Sequence, residues 1–289
     1  MKRVAQSLFR MFAFLVMFAG TLVVAAPLAE RLILYPFDKT RIAPAEVGLP
    51  EVTEHAVDSG GNTLIIWTAP PKKGHPVIFY LHGNAGNLAN RAGRFRRFMD
   101  RGYGLIALAY PGSSGSTEAP SEDSLKRSAK LVWLEKHALL PLTLLPPSSS
   151  KTIVYGESLG AAVAIGLNAS AASDHMKGVG PADAIILEAP FTSIKALAQH
   201  HYPALTPLQV YTDGQWDSLR WAAQLRHPLL VIHGTNDSLI PIEMGRQIFS
   251  AAPSGQKEFV EAPDAGHTGL WRTDTWPKLT RFIDQFAFK

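Results

Sequence analysis

A serine, an aspartate and a histidine stand in this sequence in surroundings that suit nucleophilic catalysis. Ser158 is the centre of Gly156-Glu157-Ser158-Leu159-Gly160, which fits the pattern Gly-x-Ser-x-Gly, and Asp237 closes His233-Gly234-Thr235-Asn236-Asp237. A serine hydroxyl is a poor nucleophile until a neighbouring base takes its proton, and a carboxylate on the far imidazole nitrogen holds that base in the useful tautomer. We therefore predict Ser158 as nucleophile, Asp237 as acid and His267 as base.

The segments around Ser158 predict a strand that turns sharply into a helix. Thr152-Ile153-Val154-Tyr155 is β-branched and aromatic, as buried strands tend to be, and Ala161-Ala162-Val163-Ala164-Ile165 is small, apolar and compatible with a helix. A sharp turn between them would hold the serine hydroxyl above the sheet edge, with glycine at 156 and 160 because a Cβ would clash there. The pentapeptide alone is a modest signal, since Gly and Ser are common in turns.

The other two candidates also follow predicted strands. Asp237 comes just after Leu229 to Ile232, and His267 comes just after Glu258 to Glu261. The carboxyl ends of parallel strands meet at one edge of the sheet, where ligands bind in open α/β sheets. The chain order Ser, Asp, His is the order of the α/β-hydrolase arrangement, so the combined pattern is a much stronger signal than the pentapeptide. Glu188, which ends another predicted strand, is the competing candidate for the acid.

A glycine-rich loop offers the backbone donors that acyl transfer needs. The loop His82-Gly83-Asn84-Ala85-Gly86-Asn87 follows the apolar run Val77 to Leu81. A hydrolase must hold the oxyanion of its tetrahedral intermediate, with one N–H after the nucleophile and another from this loop. We predict the backbone N–H groups of Leu159 and Asn84, with Ala85 as the reserve for the second. His82 is expected to bond the surrounding backbone and not to act as the base.

Strand and helix patterns alternate along most of the chain, which has 289 residues and is 46% apolar. This alternation predicts an α/β fold whose mostly parallel central sheet is covered by helices on both faces. Residues 31–289 are expected to form one hydrolase domain, with a β-hairpin before its parallel strands and a small lid at about 190–226. Helices are expected at about Asn87 to Arg101, Ser121 to His137, Pro241 to Ala251 and Trp271 to Phe288.

The N-terminus predicts a signal anchor or a signal peptide. Lys2, Arg3 and Arg10 precede Met11 to Ala29, which carries no charge. About 18 or more uncharged residues suffice to cross a bilayer, whereas a secretory apolar region spans about 7–15, so the length favours an uncleaved apolar helix. Cleavage after Ala26 is the alternative, because small residues precede it. Either way we expect an extracytoplasmic catalytic domain, periplasmic if bacterial, that is membrane-anchored or secreted.

Composition excludes several kinds of site. The chain has no cysteine, so disulfides, thiolate metal sites and a cysteine nucleophile are excluded. The net charge is +4, and the basic residues bunch only at Arg91, Arg94, Arg96, Arg97 and Arg101. We interpret that bunch as a helix with a solvated basic face, a surface on anionic lipid headgroups being the alternative. No motif indicates nucleic-acid binding, and His200-His201 lacks the companions that a metal site would need.

These blocks resemble the α/β-hydrolase superfamily and, within it, the Bem46-like (ABHD13/ABHD17-like) serine hydrolases. The resemblance covers most of the chain from about Leu32 and rests on the loop at His82, the pentapeptide at Ser158, the segment at Asp237 with Ile240-Pro241, and Gly266-His267. It implies ester or thioester hydrolysis without a cofactor, with the same three catalytic residues. The chain departs from the group after Tyr110, where an arginine is usual, and at Ala161, where a second glycine is common.

Two other functions stay open at this point. The same machinery cleaves amides, so an amidase or peptidase is the alternative chemistry. A non-catalytic membrane-anchored scaffold is the alternative of a different class, because fold does not fix function. A small-molecule or lipid-like acyl substrate with an apolar acyl part is expected, and the sequence does not specify its length or its leaving group.

Overall fold

The strands form one sheet whose carboxyl edge carries the candidate residues. The computed structural model describes residues 31–140, 151–170, 181–204 and 216–286. Within these residues the sheet order is β1-β2-β4-β3-β5-β6-β7-β8. The pairs β1-β2 and β2-β4 are antiparallel, and the pairs from β4-β3 onward are parallel. The strands are β1 (Thr53–Ser59), β2 (Asn62–Ala69), β3 (Val77–Leu81), β4 (Gly104–Leu108), β5 (Thr152–Glu157), β6 (Ala184–Glu188), β7 (Leu229–Gly234) and β8 (Lys257–Ala262).

Helices cover both faces of this sheet, as the alternating pattern predicts. They are α1 (Ala92–Asp100), α2 (Glu122–Leu139), α3 (Leu159–Ser170), α4 (Ile194–His201), α5 (Ser218–Ala222), α6 (Ile242–Ala251) and α7 (Trp276–Asp284), with 3₁₀ turns at Pro44–Val47 and Leu88–Arg91. Helix α2 begins where the sequence predicts, because Ser121 is its N-cap and the Ser121 Oγ accepts from the Ser124 N–H at 3.1 Å.

Two apolar cores lie on opposite faces of the sheet. Alternate side chains of β3 enter different cores: Phe79 packs with the side of α2 and α3, whereas Ile78 and Tyr80 pack with the side of α1 and α7. All five residues of β3 are buried. A parallel strand covered on both faces must be apolar on both, which is why the central strands are continuous apolar runs.

The last helix is shorter than the sequence predicts. Helix α7 begins at Trp276 and not at Trp271. The Thr275 side chain accepts from the Arg272 N–H at 2.9 Å and donates to the Leu270 carbonyl, which closes a turn just before the helix. Trp271 therefore lies before the helix, and its indole N–H donates to the Tyr155 hydroxyl at 2.8 Å.

Two predicted features fall wholly or partly outside the described residues. The N-terminal apolar segment lies before residue 31, and no helix in the described ranges is long and apolar enough to span a bilayer. The predicted lid contains α4 and α5, and its middle, residues 205–215, also lies outside the description. The lid and the domain bounds therefore stay predictions.

Candidate active site

The turn that carries Ser158 is as tight as the glycines predict. Ser158 lies between β5 and α3 with φ at 53°, a left-handed conformation that is uncommon for a residue with a side chain. A Cβ on Gly156 would lie 2.4 Å from the Gly160 carbonyl oxygen, and one on Gly160 would lie 2.0 Å from the Leu81 carbonyl oxygen. The Ser158 N–H donates to the Glu188 carbonyl at 2.8 Å, so the end of β6 also holds the turn.

Asp237 is held from two sides just after β7. Its Oδ1 accepts from the backbone N–H groups of Leu239 at 2.9 Å and Ile240 at 2.8 Å. Its Oδ2 faces the Nδ1 of His267 at 2.8 Å, and its side chain is fully buried. Both oxygens therefore have partners that fix the plane of the carboxylate.

His267 joins the other two predicted residues. Its Nε2 lies 3.1 Å from the Ser158 Oγ, on the side of the ring opposite Asp237. A carboxylate only accepts hydrogen bonds, so Nδ1 carries the proton and Nε2 presents its lone pair to the serine hydroxyl. The structure thus brings Ser158, Asp237 and His267 into one hydrogen-bonded row.

His233 supports the acid from beneath. It is fully buried, and its Nε2 lies 2.9 Å from the Ile240 carbonyl and 3.4 Å from the Asp237 Oδ2. Burial raises the pKa of Asp237, but hydrogen bonds from His233, His267 and the Ile240 N–H outweigh it and lower that pKa well below its usual range. Asp237 is therefore an anion at neutral pH, as a residue that stabilises an imidazolium must be.

The glycine-rich loop is fixed by contacts at its far end. The Gly86 carbonyl accepts from the Asp38 N–H at 3.0 Å, and the Asn87 Nδ2 donates to the Asp38 Oδ2 at 2.8 Å. The Leu88 N–H donates to the Ser114 Oγ at 2.9 Å, in the segment after β4 where the chain departs from the Bem46-like pattern. The loop is thus held without the arginine that is usual after the tyrosine.

His82 has the backbone role that the sequence predicts. It is fully buried, with its Nδ1 at 2.7 Å from the Gly83 carbonyl. Burial, helped by the nearby Arg91 charge, lowers the pKa of His82 to about 3, so the ring is neutral at physiological pH. Its ring centre lies 4.4 Å from that of Tyr110, with the two ring planes tilted by 43°.

Glu188, the competing acid, faces an arginine and not the histidine. Its two oxygens accept from the Arg94 guanidinium at 2.6 and 2.8 Å. The Tyr155 hydroxyl also donates to it, and so does the Trp271 indole N–H at 3.0 Å. With its acceptor sites taken by these donors, Glu188 leaves Asp237 as the carboxylate that contacts His267.

The basic helix is a solvated face only in part, because the Arg96 and Arg101 side chains are 38% and 45% exposed but Arg91 and Arg94 are largely buried. Within the described residues, each of its five arginines has a protein partner, either a carboxylate or an aromatic ring. The pairs are Arg91–Glu157, Arg94–Glu188, Arg96–Glu51 and Arg101–Asp284, while Arg97 lies 4.0 Å from the ring centre of Trp276. The interpretation is wrong for Arg91 and Arg94, because it counted charges on one helix and not the carboxylates that the fold brings to it.

Arg91 and Arg94 are site residues that the sequence interpretation missed. Their side chains are 11% and 22% exposed, and each pairs with a glutamate at the end of a strand next to Ser158. One signal could have found them: Glu157 and Glu188 end strands predicted to be buried, and buried carboxylates require a cation. The Glu157 carboxylate packs against Gly83 of the neighbouring loop.

Trp216 and His201 make structural contacts. The Trp216 indole N–H donates to the Tyr35 hydroxyl at 3.0 Å inside the core. His201 is exposed, and its Nε2 lies 2.8 Å from the Leu239 carbonyl. Among the described residues there is no cluster of His, Asp and Glu that could hold a metal ion.

Several curated relatives align with most of this sequence. Fission yeast (Schizosaccharomyces pombe) protein bem46 is 29% identical over 71% of this chain and 65% of its own length. The rat (Rattus norvegicus) lysophosphatidylserine lipase ABHD12 is 29% identical over 74% of this chain, which spans 56% of that relative. An uncharacterized protein of Mycobacterium tuberculosis is 28% identical over 82% of this chain and 80% of its length. These relatives support a place for the chain among the Bem46-like α/β hydrolases.

Solved structures agree on the fold of this hydrolase. The Pyrococcus furiosus esterase Pf2001 superposes with a TM-score of 0.63 over 87% of this chain and 98% of the esterase, at 16% identity. A soluble variant of monoglyceride lipase from Saccharomyces cerevisiae, in complex with a substrate analog, gives a TM-score of 0.65 over 88% and 99% of the two chains, at 12% identity. No family model matches the chain.

Proposed function

We propose that this protein is a serine hydrolase that cleaves carboxylic esters or thioesters through an acyl-enzyme. The observation that carries the proposal is the row of contacts from Asp237 through His267 to Ser158, at 2.8 and 3.1 Å. These distances lie within the range that a nucleophile and its base need. The order of the three residues along the chain and their places after β5, β7 and β8 add support.

The chemistry follows from the protonation states. The His267 Nε2 takes the hydroxyl proton while the Ser158 Oγ forms a bond to the substrate carbonyl carbon. The buried Asp237 anion stabilises the imidazolium that results. When the tetrahedral intermediate collapses, that proton passes to the leaving alkoxide or thiolate. Water then repeats the sequence and releases the acid, with its proton taken by His267 and returned to Ser158.

The oxyanion would be held by two backbone N–H groups. Leu159 is the first residue of α3, so its N–H has no acceptor one turn earlier in the helix and is available to a substrate. Asn84 lies in the loop after β3. This loop is next to the turn that carries Ser158, because Gly160 packs against the Leu81 carbonyl. Donors of this kind typically contribute about 10²–10³ in rate.

An apolar, lipid-like acyl group is the proposed substrate class. The rat relative is a lysophosphatidylserine lipase by name, and a structural neighbour is a monoglyceride lipase with a bound substrate analog. We also propose that residues 11–29 anchor the domain to a membrane with its active site outside the cytoplasm, since that segment is uncharged. A C-terminal reporter fusion that is active only in the cytoplasm would contradict this topology.

A panel of p-nitrophenyl esters from acetate to palmitate, run beside an anilide of matched acyl length, tests the chemistry. We expect ester turnover that rises with acyl length to a maximum, with the anilide much slower. A fluorophosphonate probe should label the wild type and Ser250→Ala, an exposed-serine control, and should not label Ser158→Ala. Undiminished labelling of Ser158→Ala overturns the assignment of Ser158 as the nucleophile. Turnover of the anilide alone favours an amidase.

A further inference from the structure

Two glutamates lie side by side beneath the nucleophile. Glu157 and Glu188 are direct partners in the pairing of β5 with β6, so their Cα atoms are neighbours at the carboxyl edge of the sheet. Glu157 immediately precedes Ser158, and the Glu188 carbonyl accepts from the Ser158 N–H. Two adjacent carboxylates repel each other in a poorly solvated site, so this arrangement requires cations.

Helix α1 and the turn before it supply those cations separately. Arg94 forms the two-bonded pair with Glu188, whereas Arg91 contacts Glu157 through Nη2 at 3.1 Å and Nε at 3.4 Å. The Glu157 carboxylate also accepts from the Tyr80 hydroxyl at 2.6 Å. Glu157 is thereby held by groups from two other segments, and its backbone leads directly into Ser158 and Leu159.

Arg91 has a second contact, to the glycine-rich loop. Its Nη1 donates to the Ala85 carbonyl at 2.5 Å, while the same guanidinium holds the Glu157 carboxylate. A Cβ on Gly83 would lie 3.1 Å from the Glu157 Oε1 and 3.4 Å from the Arg91 Nη2, so the ion pair packs directly against the loop backbone. One planar guanidinium therefore joins the two segments that carry the proposed oxyanion donors.

We infer that Arg91, through Glu157 and the Ala85 carbonyl, is a positioning residue that sets the spacing between the Asn84 and Leu159 N–H groups. This inference rests on the proposed function and deepens it. The donors belong to separate segments, one after β3 and one after β5, and each lies within two residues of an atom that Arg91 holds. A small misplacement of such donors weakens transition-state binding more than substrate binding.

Helix α1 offers a closely matched control. Arg96 also binds a carboxylate, that of Glu51, and a backbone carbonyl, that of Gly48 at 2.6 Å, but it does so on the outside of the protein. Arg96→Gln removes the same chemical groups as Arg91→Gln, but it changes no contact of the glycine-rich loop or of the turn that carries Ser158. Comparing the two variants separates an effect on the oxyanion donors from a general effect of losing an arginine fork.

The test measures kcat and KM separately on the best p-nitrophenyl ester, together with the affinity of an alkyl boronic acid that mimics the tetrahedral intermediate. We expect Arg91→Gln to lower kcat by about 10–100-fold, to change KM by less than about threefold, and to weaken boronate binding by about the same factor as kcat. Glu157→Gln should behave alike, Arg91→Lys should recover part of the loss, and Arg96→Gln should match the wild type.

The outcomes separate the two claims. A folded Arg91→Gln whose kcat and boronate affinity equal those of Arg96→Gln overturns the inference and leaves the proposed function standing. If Arg91→Gln does not fold, Glu157→Gln decides in the same way, since it keeps the side-chain size and an acceptor for Tyr80. A wild type that neither turns over esters nor reacts with a fluorophosphonate overturns the proposed function and this inference with it.

Discussion

Asp237 and Glu188 are two buried carboxylates at the same edge of the sheet, and their partners make them different. Asp237 follows β7 and Glu188 ends the adjacent strand β6. Asp237 accepts from His267 and from two backbone N–H groups, whereas Glu188 accepts from Arg94, Tyr155 and Trp271. An imidazole can still gain a proton beside Asp237, but the permanent charge of Arg94 already neutralises Glu188. Position on the sheet edge therefore does not by itself select the acid.

The largest expected difference between these carboxylates is in catalysis. Asp237→Asn should lower kcat by about 10⁴-fold, because an amide N–H offered to the His267 Nδ1 favours the tautomer that cannot accept the serine proton. Glu188→Gln should keep kcat within about threefold when it is normalised to the folded fraction. Steady-state kinetics on one ester measures both. A reversed pattern, with Glu188→Gln inactive and Asp237→Asn active, would make Glu188 the acid.

The stability of the fold, in contrast to kcat, should depend strongly on Glu188. Glu188→Gln leaves the Arg94 guanidinium without its counter-charge in a site where Glu188 is 1% exposed. Removing one partner of a buried pair typically costs about 3–5 kcal/mol. Urea unfolding at pH 7 measures the loss. As a control, Glu51→Gln breaks a pair whose side chains are 38% and 44% exposed, and it should cost no more than about 1 kcal/mol.

The lowered pKa of Asp237 makes its contribution to the unfolding free energy depend on pH. A carboxyl whose pKa is lower in the folded state than in the unfolded chain, where it is about 3.9, stabilises the fold above that value. This contribution is lost as the pH falls from about 5 toward 1. The difference in unfolding free energy between wild type and Asp237→Asn should therefore shrink over that range. Urea midpoints at pH 6, 4 and 2 measure it, and a constant difference would contradict the lowered pKa.

The smallest expected effect concerns Trp271, one of the two neutral partners of Glu188. Trp271→Phe removes the indole N–H that reaches Glu188 at 3.0 Å and Tyr155 at 2.8 Å, but it keeps an aromatic ring near the Arg94 guanidinium. We expect a loss of about 1–2 kcal/mol in urea unfolding, with kcat within about twofold. A loss as large as that of Glu188→Gln would mean that the tryptophan, and not the arginine, is the main support of this carboxylate.

Most of the fold was predictable because the local patterns agree with the global one. The hairpin is confirmed as β1 and β2, with Ser59 paired to Asn62 across Gly60 and Gly61, which both have positive φ. The parallel strands β3, β5, β7 and β8 also lie where the sequence predicts strands. The predicted start of α7 at Trp271 was wrong. The turn at Thr275 depends on hydrogen bonds that produce no periodic pattern in the sequence.

The site was predictable to the extent that its residues are tied to their strands. Ser158, Asp237 and His267 each follow a strand, and parallel strands bring their carboxyl ends to one edge. The roles of Arg91 and Arg94 were not predictable in this way. Their partners are 66 and 94 residues away in sequence, and no local period reports such a distance.

The sheet, the order of the candidate residues and the need for glycine at 156 and 160 can all be read from the sequence, because they follow from side-chain pattern and backbone sterics. Only the tertiary structure decided which carboxylate faces His267 and where the charges of the basic helix go. Asp237 and Glu188 are both carboxylates at the end of a predicted strand, so the sequence leaves Glu188 as a competitor. Their difference arises when the packing of α1 against the sheet brings Arg94 within 2.6 Å of Glu188 and leaves Asp237 to the histidine.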